Sequence, residues 1–248
     1  MDLANGWAFD LGEHRRRAVR QLRKEKPTLL IGSPPCTQFS ILQNLNKHNN
    51  RNNKEWMEKY RAAREKAVRH VRFCCSLYAM QMAENRYYLH EHPHTAESWG
   101  LDCITKLRAD RRSLWVKAHM CRFGMKSQDK EQEGLVLKPT GFLTNSWCLA
   151  EELNKQCNKD HTHITLLNGK AAAAAIYPQG LCEDICLSLK KQKGYDATNQ
   201  LCSMALSSSQ ISSVVSGSGF KPAGRWPAHW LDNKHETDGG ADRVGERP

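Results

Sequence analysis

"LLIGSPPCTQFS", Leu29 to Ser40, sets a short apolar run directly against two prolines and a cysteine. Thr28 to Ile31 reads as a buried strand, bounded by Gly32 and Pro34. Pro34 and Pro35 fix φ and leave the turn little freedom, so the Cys36 sulfur is held in one place. Upstream, "EHRRRAVRQLRKE", Glu13 to Glu25, predicts a basic helix with Ala18 and Leu22 on its inner face, and Pro27 ends it. A helix running into a buried strand predicts an α/β unit.

Downstream of Ser40, "QNLNKHNNRNNKE" is Asn-rich and predicts a mobile loop. A long helix is expected from Trp56. Trp56, Tyr60, Ala63, Ala67, Val71, Cys74, Tyr78 and Met82 follow one another at steps of three or four, with Arg61, Arg64, Arg69 and Arg72 on the opposite face. Cys74 and Cys75 are read as core. Further strands are expected at "YYLHEHP" (Tyr87 to Pro93), "LWVKAHMCRFG" (Leu114 to Gly124) and "TGFLTNS" (Thr140 to Ser146), with "KSQDKEQEG" a charged loop between the last two. "LAEELNKQ" and "QGLCEDICLSLKKQK" read as helices, the latter with Leu181, Ile185 and Leu189 on one face. A turn is expected at Asn168-Gly169. From about Ala197, Ser, Gly and charge dominate. The expected organisation is therefore an α/β domain over 1–196 and a disordered tail over 197–248, with Trp226 and Trp230 the tail's one docking hint.

The 248 residues are 40% hydrophobic and carry a net charge of +11, and the mean hydropathy is −0.68. The charge favours a polyanionic partner. No apolar run approaches the roughly 20 residues of a membrane helix, and Met1 leads straight into polar "DLANGW". No membrane association is expected. The ten cysteines are scattered and fit an intracellular chain with reduced thiols.

In open α/β sheets, ligands bind at the carboxyl ends of strands. Two such tips carry reactive groups here, Cys36 and Glu91. The residues around them resemble the DNA cytosine-5 methyltransferase family. "GSPPCTQFS" is similar to that family's Gly-x-Pro-Pro-Cys-x-x-Phe-Ser. "LHEHP" is similar to its Glu-Asn-Val motif, with Glu91 at the glutamate and His92 at the asparagine. "CRFGM" with "KPTGFLTNS" resembles the later motif that brings a cation to the base, and "IYPQGLCEDICLSL" the closing motif. The resemblance covers about Asp2 to Lys190, and the forms most resemble methyltransferase-like segments of eukaryotic transposon polyproteins.

The resemblance implies a Rossmann-like S-adenosylmethionine-dependent methyltransferase sheet, incomplete at its N-terminus. It implies methyl transfer to a flipped-out cytosine of DNA. The expected location is intracellular, with the nucleus as one option. Cys36 would add to C6 and Glu91 would serve N3. Ser33, Pro35, Ser40, His92, Arg122 and Lys138 would contact the substrate, and Asp2, Asp10 and Pro34 the cofactor. Three departures stand beside it. No Phe-x-Gly-x-Gly precedes Cys36, Lys138 and Arg122 replace a Gln-x-Arg-x-Arg, and the stretch from Asn145 to Tyr177 is short for a target-recognition domain. The same residues therefore allow a catalytically inactive, DNA-binding remnant of that fold. A zinc-binding module is a further reading, from Cys148, Cys157, His161 and His163 with Cys182 and Cys186, although these spacings match no standard clip. No residue is assigned as a metal ligand.

Overall fold

A computed structural model describes residues 5–129, 132–166 and 173–207. The chain divides into two compact units, Met1–Gly194 and Tyr195–Pro248. Of the second, only the end of one helix is described.

The basic helix is present as α1 (Gly12–Glu25), with Ala18 and Leu22 fully buried. Lys26 closes it in the left-handed region at φ +45, donating its N–H to Leu22 O, and Pro27 prevents continuation. β1 (Leu29–Gly32) follows. The expected Asn-rich loop is instead a helix, α2 (Leu42–Asn49). Its turns close on main-chain bonds from Gln43 to Ser40 and from Asn44 to Ile41. Next comes the long helix, α3 (Lys54–Ala83), capped by the Asn53 side chain, which accepts from Trp56 N–H. Its N-terminal half is largely solvated. Val71, Phe73, Cys74, Cys75, Leu77, Tyr78 and Met82 bury the other half, and both cysteines are core as expected.

β2 (Tyr87–Pro93) pairs parallel to β1, with Leu29 opposite Tyr87 and Gly32 opposite His90. A parallel pair needs a crossover, and α3 provides it. α4 (Asp102–Ala109) and β3 (Leu114–His119) come next. The charged segment expected as a loop is a hairpin, β4 (Lys126–Asp129) and β5 (Gln132–Leu135). β6 (Pro139–Thr144) then enters the main sheet between β2 and β3, antiparallel to both. The main sheet is thus four-stranded and mixed, in the order β1-β2-β6-β3. α5 (Trp147–Leu153), N-capped by Ser146, packs on β3 and β6. α6 (Gln179–Ser207) closes the described chain. It runs past the expected boundary at Ala197; the remaining tail, with Trp226 and Trp230, and the turn at Asn168-Gly169 lie outside the described residues.

Alternation along β2 sorts the faces. Tyr88, His90 and His92 point toward α3 and the Trp99–Trp115 side, where Tyr78 stacks on Tyr88 at 4.8 Å. Glu91 lies in register with Phe142 of β6, which lies opposite Val116 of β3, all buried on the other face. Among the described residues no helix is long and apolar enough to cross a membrane.

Candidate functional site

β1 and β2 run in parallel, so their carboxyl ends lie at one edge of the sheet. After β1 the chain passes Ser33 and the two prolines into Cys36, which adopts φ −95, ψ −8 and starts a single 3-10 turn, Thr37–Phe39. Three contacts hold this turn. Phe39 is fully buried and its N–H donates to Cys36 O at 2.9 Å. Arg64 of α3 donates to Gln38 O at 2.7 Å and pairs with Glu97 at 2.8 Å. His92 of β2 lies 2.8 Å, through Nε2, from Pro34 O. A carbonyl only accepts, so Nε2 carries the proton. Nδ1, 2.5 Å from Ser98 Oγ, is then the acceptor in the neutral ring. Burial depresses the His92 pKa and favours that neutral form.

Glu91 is buried at the adjacent strand tip. Its Oε2 accepts hydrogen bonds from Ser33 Oγ and, at 3.3 Å, from Tyr177 Oη. Cys36 is half-buried, and its thiol pKa is pushed up, first by burial and then by the nearby Glu91 charge; Lys138 opposes the shift. Glu91 and Lys138 thus both lie close enough to Cys36 to act on its thiol, in opposite directions. Lys138 sits at φ +23 and donates Nζ to Ala174 O at 2.7 Å. A thiol and a buried carboxyl at the ends of adjacent strands, with a cation near enough to act on the thiol, suit addition of sulfur to an electron-poor ring with proton transfer nearby.

Other expected site residues have different occupations. His92 is buried and bonded at both nitrogens, so it positions the Pro34 turn and has no donor or acceptor left for a substrate. Ser40 Oγ accepts from Leu42 N–H at 3.3 Å, at the start of α2. Arg122 donates to Asn158 at 3.2 Å, beside Cys157. Pro35 is exposed and Pro34 buried. Asp10 is ion-paired to Lys66 at 2.9 Å, and Asp2 lies outside the described residues. Tyr177 is the site residue that sequence reasoning missed. It lies within "IYPQGLCEDICLSL", and no local pattern ties it to Glu91.

The expected zinc ligands also separate. Cys148 is buried in α5, and Cys182 and Cys186 are exposed on α6. Cys157, His161 and His163 do come together, with Cys121 as the fourth member. No family profile, curated protein or solved structure matches the chain.

Proposed function

We propose that the Cys36 edge is a cytosine-adding site of the DNA cytosine-5 methyltransferase type. The observation that supports this is the meeting of Cys36 and Glu91 at the carboxyl ends of adjacent parallel strands. In the step envisaged, the Cys36 thiolate bonds to C6 of a flipped-out cytosine. The C5–C6 π pair shifts to C4–C5, the C4–N3 π pair moves onto N3, and N3 takes a proton from the Glu91 carboxylic acid, which is left as the carboxylate. A protonated Glu91 would also remove the charge that opposes thiolate formation, so the two groups act as a pair. Ser33 and Tyr177 orient the carboxyl through its Oε2. Lys138 contributes a cation, though as a point charge without the planar fork of arginine. DNA as the partner rests on the net charge of +11 and on the exposed arginines of α1.

S-adenosylmethionine supplies the methyl group in such chemistry. Of the residues expected at the cofactor, Asp10 is committed to Lys66 and the Pro34 carbonyl to His92. No step here passes through the cofactor. That observation favours a second reading, a DNA-binding remnant of the same fold with no methyl transfer.

A single-stranded DNA bearing 2-pyrimidinone, which accepts a thiolate at C6 without any cofactor, tests the base-adding step. The expected result is a covalent complex lost in Cys36→Ser and kept in Cys182→Ser. Wild-type protein should also exchange the C5 hydrogen of cytosine with solvent. No adduct and no exchange from wild-type protein would sink the proposal. Calorimetric titration with S-adenosylmethionine separates the two readings, since the remnant shows no binding heat.

A further inference from the structure

The Cys36 edge leaves unused the tightest cluster of metal-ligating side chains among the described residues. Cys121 lies in the 3-10 turn Met120–Phe123 that follows β3. Cys157, His161 and His163 lie on the stretch that follows α5. One donor atom from each of the four lies within 4.8 Å of all the others. Cys157 Sγ is 3.7 Å from His161 Nε2 and 3.5 Å from His163 Nε2. A tetrahedral zinc with Zn–S of about 2.3 Å and Zn–N of about 2.0–2.1 Å sets a sulfur-to-nitrogen edge of about 3.5 Å. These two edges match those of a zinc tetrahedron.

We propose that Cys121, Cys157, His161 and His163 form a structural zinc site. Two thiolates and two imidazoles are a donor set that zinc prefers, and four protein ligands close its coordination sphere. The surroundings are those of a prepared site. His161 Nδ1 lies 2.5 Å from Asp160 Oδ1. A carboxylate only accepts, so the proton sits on Nδ1 and the Nε2 lone pair is left facing the cluster. Asp160 is held in turn by Asn158 Nδ2 at 3.0 Å. Lys159, in the left-handed region at φ +63, turns its backbone N–H onto Cys157 Sγ at 3.2 Å, a bond that stabilises a thiolate. His163 is fixed by a β-bridge to Leu135, and Ile164 N–H donates to Leu135 O at 2.8 Å.

The metal has a structural task. The 155–163 stretch has little regular structure and no buried residue, and it meets β3 through hydrogen bonds rather than packing: His119 N–H donates to Lys155 O at 2.9 Å and Cys157 N–H to His119 Nδ1 at 2.8 Å. Zinc ties it to the turn after β3 and, through His163, to β5. Met120, next to Cys121, donates its N–H to Leu137 O and Lys138 O. The same tie therefore steadies the segment that presents Lys138 to Cys36. The inference does not depend on the cytosine chemistry, since it concerns other residues and is read by metal content.

The test uses the whole chain, purified without added chelator, with metal measured by mass spectrometry of the elements. The expected result is one zinc per molecule. Cobalt replacing it should show the intense visible bands of a tetrahedral thiolate site. Cys157→Ala and His163→Ala should lose the metal, while the paired Cys182→Ser and Cys186→Ser changes on exposed positions should keep it. Asp160 is exposed, so Asp160→Asn leaves folding intact and should weaken zinc affinity by about 10- to 100-fold. Removing zinc with a chelator should lower the thermal midpoint, and re-adding it should restore the midpoint. A wild-type protein that takes up neither zinc nor cobalt overturns the proposal. So does an intact mass lowered by a pair of hydrogens with Cys121 and Cys157 found in one cross-linked peptide, because a disulfide would then explain the cluster.

Discussion

Gly32 is the last residue of β1, and its lack of a side chain is what lets Tyr78 lie beneath the strand. A Cβ built at Gly32 would come 1.8 Å from Tyr78 Oη and 2.8 Å from Cζ. The ring cannot move aside freely. It is 1% exposed, stacks on Tyr88, and bonds His90 Nδ1 at 3.0 Å through its hydroxyl. Gly32→Ala therefore carries two costs together. Overpacking of a filled core costs about 1–3 kcal/mol. Pushing the tyrosine away leaves its hydroxyl and His90 without each other, at about 1–3 kcal/mol more. The His90 penalty is not softened elsewhere, because its Nε2 already lacks a partner.

A total near 4 kcal/mol, at about 2–4 °C per kcal/mol for a chain of this size, predicts a thermal midpoint lower by about 8–16 °C. Urea titration followed by tyrosine and tryptophan fluorescence measures the same loss independently. The double variant Gly32→Ala with Tyr78→Phe removes the atom at 1.8 Å but leaves Cζ close. It should recover part of the loss relative to the sum of the single changes. A Gly32→Ala protein within about 0.5 kcal/mol of the parent would refute the packing argument. Gly32 leads directly into Ser33 and the proline turn, so the same variant should also change the rate at which iodoacetamide labels Cys36.

Three further outcomes are expected. Burial and then Glu91 raise the Cys36 thiol pKa while Lys138 lowers it, so Glu91→Gln should quicken Cys36 alkylation near neutral pH and Lys138→Met should slow it; equal rates by peptide mass mapping would contradict the shared site. Burial depresses the pKa of His90 and His92 from 6.5, so both are held neutral in the fold; their contribution to stability is complete above about pH 6.5 and is lost as pH falls below it, and a urea midpoint unchanged down to about pH 5 would count against this. Changing exposed Arg16, Arg20 and Arg23 to Gln should flatten the plot of log affinity against log salt for duplex DNA by about 0.9 per lost phosphate contact, whereas an unaltered slope would mean that α1 serves solubility alone.

The parts legible in the sequence were those specified by local pattern. The proline turn marked the end of β1, the three-and-four spacing marked α3, and the two together brought Glu91 beside Cys36. α2 escaped because its asparagines read as loop formers. The segment folds as a helix on its main-chain bonds, and Asn44 finds a partner in Glu97 at 3.1 Å. β4 and β5 escaped for a related reason. Their pairing is main-chain, Lys126 meets Glu133 at 2.8 Å, and no apolar alternation advertises them.

His92 shows how a motif position can change its task. It stands where the resemblance expects a substrate contact, yet both ring nitrogens serve the protein, one on Pro34 O and one on Ser98. The turn that holds Cys36 is thus clamped from the neighbouring strand, and the rigidity attributed to two prolines is shared with a buried imidazole. Tyr177 and Cys121 mark where local pattern stops. Each completes a cluster whose other members lie far away in sequence, Tyr177 with Ser33 and Glu91, Cys121 with Cys157, His161 and His163. Spacing rules cannot find such partners, because the distances are set by β6 entering between β2 and β3 and by the chain returning after α5. The cluster at Cys36 and the cluster at Cys157 therefore depend on the same placement of β6. A change that loosens the segment from Leu137 to Pro139, where Lys138 and the partners of Met120 N–H lie, should disturb both.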